Sequence, residues 1–183
     1  MKTRRLACLM LPLFLAACAS GGGRDLEYDR VLDFASNQLA DGDAAAARQS
    51  LVEIQFKPGK DDQRREFFRL LGAVNLRMES YGEAIEAFHR SREYRPAKVD
   101  DDFMRSTAMG IARSNQGLQR WLAAERHLEE ALGHSVSQRD HDEVYLLYAR
   151  GAAERGERRV ARTWLDRVED KSRWTYETLD REL

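Results

Sequence analysis

Small residues recur along this chain at a nearly constant interval, and each is followed one helical turn later by a large apolar one. Ala47, Ala84, Ala124 and Ala161 are 37, 40 and 37 positions apart, and Leu51, Phe88, Leu128 and Leu165 stand four residues after them. A second series, Ala35, Gly72, Ala112 and Ala149, runs upstream of the first. Two antiparallel helices approach closely only where side chains are small, and a bulky neighbour one turn away fills the space beside the contact. One such hairpin cannot cover its own apolar face, so hairpins must stack and share a core. The apolar spacing agrees. Leu70, Leu71, Val74 and Met78, then Tyr81, Ala84, Ile85 and Phe88, keep a period of three to four residues, which describes two amphipathic helices divided near Ser80. No stretch from 24 to 183 sustains the period-two alternation of a half-buried strand.

The clearest copy is 65–96, REFFRLLGAVNLRMESYGEAIEAFHRSREYRP. It resembles a tetratricopeptide repeat, a helix–turn–helix unit of 34 residues. Phe68, Leu71, Gly72, Asn75, Tyr81, Ala84, Phe88, Ser91 and Pro96 fall at the family's spacing, with Asn75 replacing an aromatic and Ser91 an Ala. The resemblance implies an all-α fold, an α-solenoid of about four hairpins plus a C-terminal capping helix. The expected helices are 26–40 and 43–56, 62–78 and 81–94, 100–117 and 120–132, 138–154 and 157–170, with a cap at 172–182. Gly42 and Gly156 are expected in the turns between paired helices, while in the third copy the glycine comes early, at Gly117. Trp174 and Leu179 are expected to cover the last hairpin. Asp61-Asp62 and Asp100-Asp101-Asp102 precede helices, where acids cap the chain and complement its dipole.

The first residues read as an address. Lys2, Arg4 and Arg5 precede twelve apolar positions, 6–17, too few to span a bilayer and interrupted by Pro12. Leu15-Ala16-Ala17-Cys18 resembles the lipobox of bacterial lipoproteins. That resemblance implies a signal peptide at 1–17, lipidation of Cys18 and a short tether at 18–25, with the helical domain at 26–183. In that family an Asp after the Cys retains the protein in the inner membrane. Ala19 stands there instead, which implies the periplasmic face of the outer membrane in a Gram-negative cell. Two or more acyl chains make such an anchor stable.

The chain has 183 residues, 30 Lys+Arg and 31 Asp+Glu. Such balance excludes an electrostatic glove for nucleic acid. A mean hydropathy of −0.64 excludes a polytopic membrane protein. Two cysteines exclude a disulfide scaffold and a cysteine-built zinc site. No His-Glu-x-x-His, Gly-x-Ser-x-Gly or phosphate loop occurs, so catalytic residues, cofactor and metal ligands are all expected to be none. His134 and His141 near Asp140 and Asp142 read as solvated loop residues, and Trp121, Trp164 and Trp174 as core or cap.

Projecting the repeat family's inward stations onto this sequence gives a candidate groove. It comprises Leu32, Ser36 and Leu39; Arg69, Ala73, Leu76 and Arg77; Met109, Arg113 and Gln116; and Leu146, Arg150 and Ala153. Spacings of three, four and seven keep each set on one helical face. Arg69, Arg77, Arg113 and Arg150 would form a basic stripe able to hold carboxylates bidentately. Similar lipoproteins serve as adaptors for peptidoglycan enzymes, as pilotins and as parts of outer-membrane assembly machines. The expectation is therefore a non-enzymatic scaffold for another envelope protein or peptide segment, joined to the membrane through its lipid and binding no nucleic acid. The alternatives are a cell-wall enzyme with an unrecognised site and a small-ligand binding protein.

Overall fold

A computed structural model describes residues 22–55, 57, 59–94 and 100–183. The signal segment, Cys18 and the first tether residues lie outside the described residues. So does most of the connection expected after Pro96.

Among the described residues the protein is all-α, with nine helices packed as sequential antiparallel pairs in a repeat-like array. The helices are α1 (Gly22–Ala40), α2 (Ala44–Ile54), α3 (Asp61–Arg77), α4 (Tyr81–Glu93), α5 (Asp101–Gly117), α6 (Trp121–Gly133), α7 (Gln138–Glu154), α8 (Arg158–Leu165) and α9 (Trp174–Glu182). Each odd helix packs against its even partner and against the next odd helix, from α1 through α9. Even helices touch the following odd helix but not one another. The odd helices therefore form one continuous layer, and the even helices back it.

All twelve residues of the small-and-large series are buried, from Ala35 at 1 % exposure to Leu165 at 0 %. The apolar clusters they build bridge neighbouring pairs. Tyr28, Leu51, Phe67 and Val74 join α1–α3; Ala108, Leu128 and Val144 join α5–α7; Leu146, Leu165 and Leu179 join α7–α9. Phe88 shows why small residues are needed. Its ring leaves so little room that a Cβ added at Gly72 would come within 2.8 Å of it, and one at Gly110 within 2.4 Å. Both glycines let helices of adjacent pairs close on one aromatic ring.

The turns inside the pairs share a backbone conformation. Gly42 and Gly156 lie at φ 89° and 75°, and Glu79 and Gln119 hold the same left-handed position at 60° and 57°. Gly117 is not the turn residue of its pair. It closes α5 beneath the Tyr81 ring, where an added Cβ would lie 2.3 Å away. Asp43 and Asp100 cap α2 and α5, accepting from Ala46 N and from Asp102 N and Phe103 N. Asp61 and Asp62 instead fall within the first turn of α3, and Gln63 Oε1 accepts from Lys60 N.

Apart from shifts of one residue and the start of α9 at Trp174 rather than 172, three boundaries differ from expectation. α1 opens at Gly22, so residues 22–25 of the expected tether are wound into helix; extending a nucleated helix costs little per residue. α2 ends at Ile54 rather than 56. α8 stops at Leu165 rather than 170. The cause of the third lies on α7. Asp142 is only 1 % exposed and its carboxylate accepts from Glu169 N at 3.2 Å and Asp170 N at 3.0 Å. Those amides are thereby taken from a continuing helix. The chain then turns into α9, whose Leu179 is buried on the last cluster while Glu177, Asp180, Arg181 and Glu182 are exposed. The side chain of Trp174 lies outside the described residues.

Candidate functional site

The layer of odd helices carries a series of clefts at its seams. Between α1 and α3, Asp29, Leu32, Asp33 and Ser36 face Asp62, Gln63 and Glu66 across about 270 Å³. Gln63 Nε2 donates to Asp29 Oδ1 at 2.8 Å and ties the two walls together. The end of this seam is acidic.

Between α3 and α5 a cleft of about 220 Å³ contains Arg69, Ala73, Leu76, Met109 and Arg113. Arg69 does not present a free guanidinium, because Glu66 holds it from one turn away at 2.7 and 2.5 Å. That hydrogen bond outweighs burial and raises the Arg69 pKa. Beside it Arg105, absent from the sequence-based groove, forms a compact network with Asp102 at 2.6 Å, Asp140 at 3.2 Å and Glu143 at 2.9 Å. Burial alone would lower the Arg105 pKa; its hydrogen bonds to Glu143 and Asp102, with Asp140 close by, raise it. Glu143 also accepts from Arg173 at 3.0 Å, which links this network to the segment before α9. Every charged group of this network thus has a partner of opposite sign.

At the other end of the same helices the balance fails. Arg77, Arg113 and Arg150 come from α3, α5 and α7 and line one cleft of about 250 Å³ with Leu76, Gln116, Tyr81, Glu79 and Glu154. Among the described residues, of these three arginines only Arg150 is paired, its Nε donating to Glu154 Oε1 at 2.9 Å. Arg113 is exposed as a residue, yet desolvation by the cleft walls, with Arg150 and then Arg77 nearby, holds its pKa below the ordinary value. Gln116 is spent structurally, its Nε2 donating to Leu147 O at 2.9 Å and fixing α5 to α7. Gly151 leaves room for that amide, since a Cβ there would approach Gln116 Nε2 to 2.6 Å.

A larger cleft of about 570 Å³ follows between α7 and α9, where Arg150 and Ala153 face Thr175, Thr178 and Leu179. Most of the sequence-based groove residues therefore share one layer. Leu39 and Leu146 instead pack into the core clusters, and Leu32, although it borders the α1–α3 cleft, is also a buried core residue. Sequence reasoning missed Arg105, Glu143, Tyr81 and the α9 wall. Arg105 was discoverable, because it lies four and eight residues before Met109 and Arg113 on the same helical face; the α9 contribution had no repeat to reveal it.

Elsewhere, His134 Nδ1 pairs with Asp101 at 2.9 Å and His141 Nδ1 with Ser137 O at 2.8 Å. Among the described residues no group of three or more His, Cys, Asp or Glu is placed to hold a metal, and no helix is long and apolar enough to cross a membrane. The Trp164 ring stacks on Tyr148 at 4.2 Å, and Trp121 lies beneath the Arg155 guanidinium at 5.6 Å; both act in packing. Comparison with known protein families, with curated proteins and with solved structures finds no match for this chain. The fold and site define an all-helical array of paired helices with an open, cleft-bearing layer.

Proposed function

We propose that this chain is a tetratricopeptide-like lipoprotein that acts without catalysis as a docking scaffold. It is anchored through Cys18 at the periplasmic face of the outer membrane and holds a segment of another envelope protein along its odd helices. The observation that carries this reading is the continuity of the odd-helix layer. Successive odd helices touch from α1 to α9, while even helices do not touch one another. Residues from four hairpins thus share one open side, which suits an extended or helical ligand spanning several repeats. The change from acidic lining at α1–α3 to arginines at α3–α7 gives that side an electrical direction, and such complementarity selects partners and their orientation.

The test is affinity capture from detergent-solubilised envelopes, read by mass spectrometry. Ala73→Trp and Ala153→Trp each fill a cleft without removing a charge. The expected result is loss of the partners captured by the wild-type chain while the helical circular dichroism stays unchanged. Identical capture by both variants would remove this layer as the docking face.

A further inference from the structure

Among the described residues the arginine cleft gathers guanidiniums from three successive odd helices, whereas most arginines of the odd-helix layer are paired. Arg69 has Glu66, Arg92 has Glu130, Arg105 has three carboxylates, Arg155 has Glu125 and Glu157, and Arg173 has Glu143. Arg77 and Arg113 form no hydrogen bond or ion pair among the described residues, although they line a cleft that also holds Arg150. Three like charges brought together around about 250 Å³ repel one another. Glu154 neutralises Arg150, and Glu79 on the rim pairs with none of the three. Two guanidiniums, from different helices, α3 and α5, are left without an ion pair, and with Glu79 counted the lining carries one positive charge in excess. An aliphatic floor at Leu76 and the buried amide of Gln116 give the cleft a shaped base.

We propose that Arg77, Arg113 and Arg150 form a binding site for a single phosphate-type dianion, free or as a monoester. This goes beyond the docking reading and does not depend on it. Charge and geometry select the ligand. A carboxylate offers two oxygens in one plane, whereas a tetrahedral anion offers three or four that point apart. Guanidinium forks from three helices can therefore each engage one. The volume admits a group of this size with its first waters but not a folded chain. Binding would replace repulsion between α3, α5 and α7 by a shared counter-charge, and so would tighten the seams between three repeats.

The test uses the purified full chain and measures thermal unfolding and calorimetric binding with sulfate, orthophosphate, glycerol 3-phosphate and acetate at equal ionic strength. Sulfate and both phosphates are expected to raise the unfolding temperature, and acetate is not. Arg113→Gln should fold normally, since it removes repulsion and no bond, and should weaken binding at least tenfold. Arg77→Gln provides a second variant with the same expectation, and Arg126→Gln, on exposed α6 surface, should bind as the wild type does. No histidine lines the cleft, whose charged and titratable groups are Arg77, Glu79, Tyr81, Arg113, Arg150 and Glu154. Between pH 7.5 and 5.5 the monoester loses its second charge, its pKa being about 6, so its binding should weaken about fourfold while that of sulfate holds. Tighter binding of glycerol 3-phosphate than of orthophosphate assigns the site to esters, and the reverse order to the free ion. Equal effects of acetate and sulfate, or undiminished binding by Arg113→Gln and Arg77→Gln, would overturn the proposal.

Discussion

The residue at one left-handed position, glycine or not, separates the four turns of this array. All four place one residue in the left-handed region, at Gly42, Glu79, Gln119 and Gly156. The conformation closes the first helix of each pair, with Ser80 N donating to Asn75 O and Arg120 N to Asn115 O, both bonds spanning five residues. Glycine adopts it without strain, while a side chain with a Cβ pays on the order of 1 kcal/mol. Gln119 is exposed, and its side chain makes no hydrogen bond among the described residues. Gln119→Gly is therefore expected to stabilise the protein by about 1 kcal/mol, read as a higher urea midpoint at unchanged slope. An unchanged or lower midpoint would show that the turn is relaxed as it stands. Two polar residues of the 65–96 segment were visible in the sequence, and their surroundings only in the fold. Ser91 is fully buried, satisfied by Phe88 O at 2.7 Å. Asn75 is 4 % exposed, and its Oδ1 has no partner among the described residues.

Local sequence sets some helix boundaries here, and a tertiary contact sets at least one other. Capping acids and the three-to-four spacing locate the starts of α2 and α5 from residues within one turn. The end of α8 depends on Asp142, which is 27 residues upstream of Glu169. The same carboxylate also accepts from Gln138 Nε2 at 2.9 Å, so it binds the opening turn of α7 to the segment leading into α9. Asp142→Ala is expected to cost about 2 kcal/mol, the loss of hydrogen bonds to a charged acceptor. Amide exchange at Glu169 and Asp170 should accelerate selectively, while α1–α4 keep their protection. Uniform acceleration along the chain would place Asp142 in the global core instead of at this junction. A sequence window cannot contain such a contact, and the expected α8 was accordingly too long.

The whole molecule behaves as a line of neighbours. Each pair contacts the next, and among the described residues no contact joins α1–α2 to α7–α9, so stability is a sum of pair and seam contributions. The line is expected to hang from lipid at Cys18. A palmitate label on the wild-type chain and none on Cys18→Ser would establish the anchor; equal labelling would remove it. What the sequence determined by itself was the class of fold and the identity of its seams, because close helix packing imposes small-and-large pairs at a fixed interval and those pairs are written locally, four residues apart. It also placed arginines on the inward stations of three helices. Only tertiary structure decided which of those charges are spent. Arg69 is neutralised by a residue on its own helix, Arg105 by residues on two, and Arg77 and Arg113 by none among the described residues. Pairing depends on distances of a few ångströms between side chains from different repeats, and Coulomb and desolvation energies change steeply over that range. Helical spacing fixes the face a residue occupies but not the neighbour it meets there.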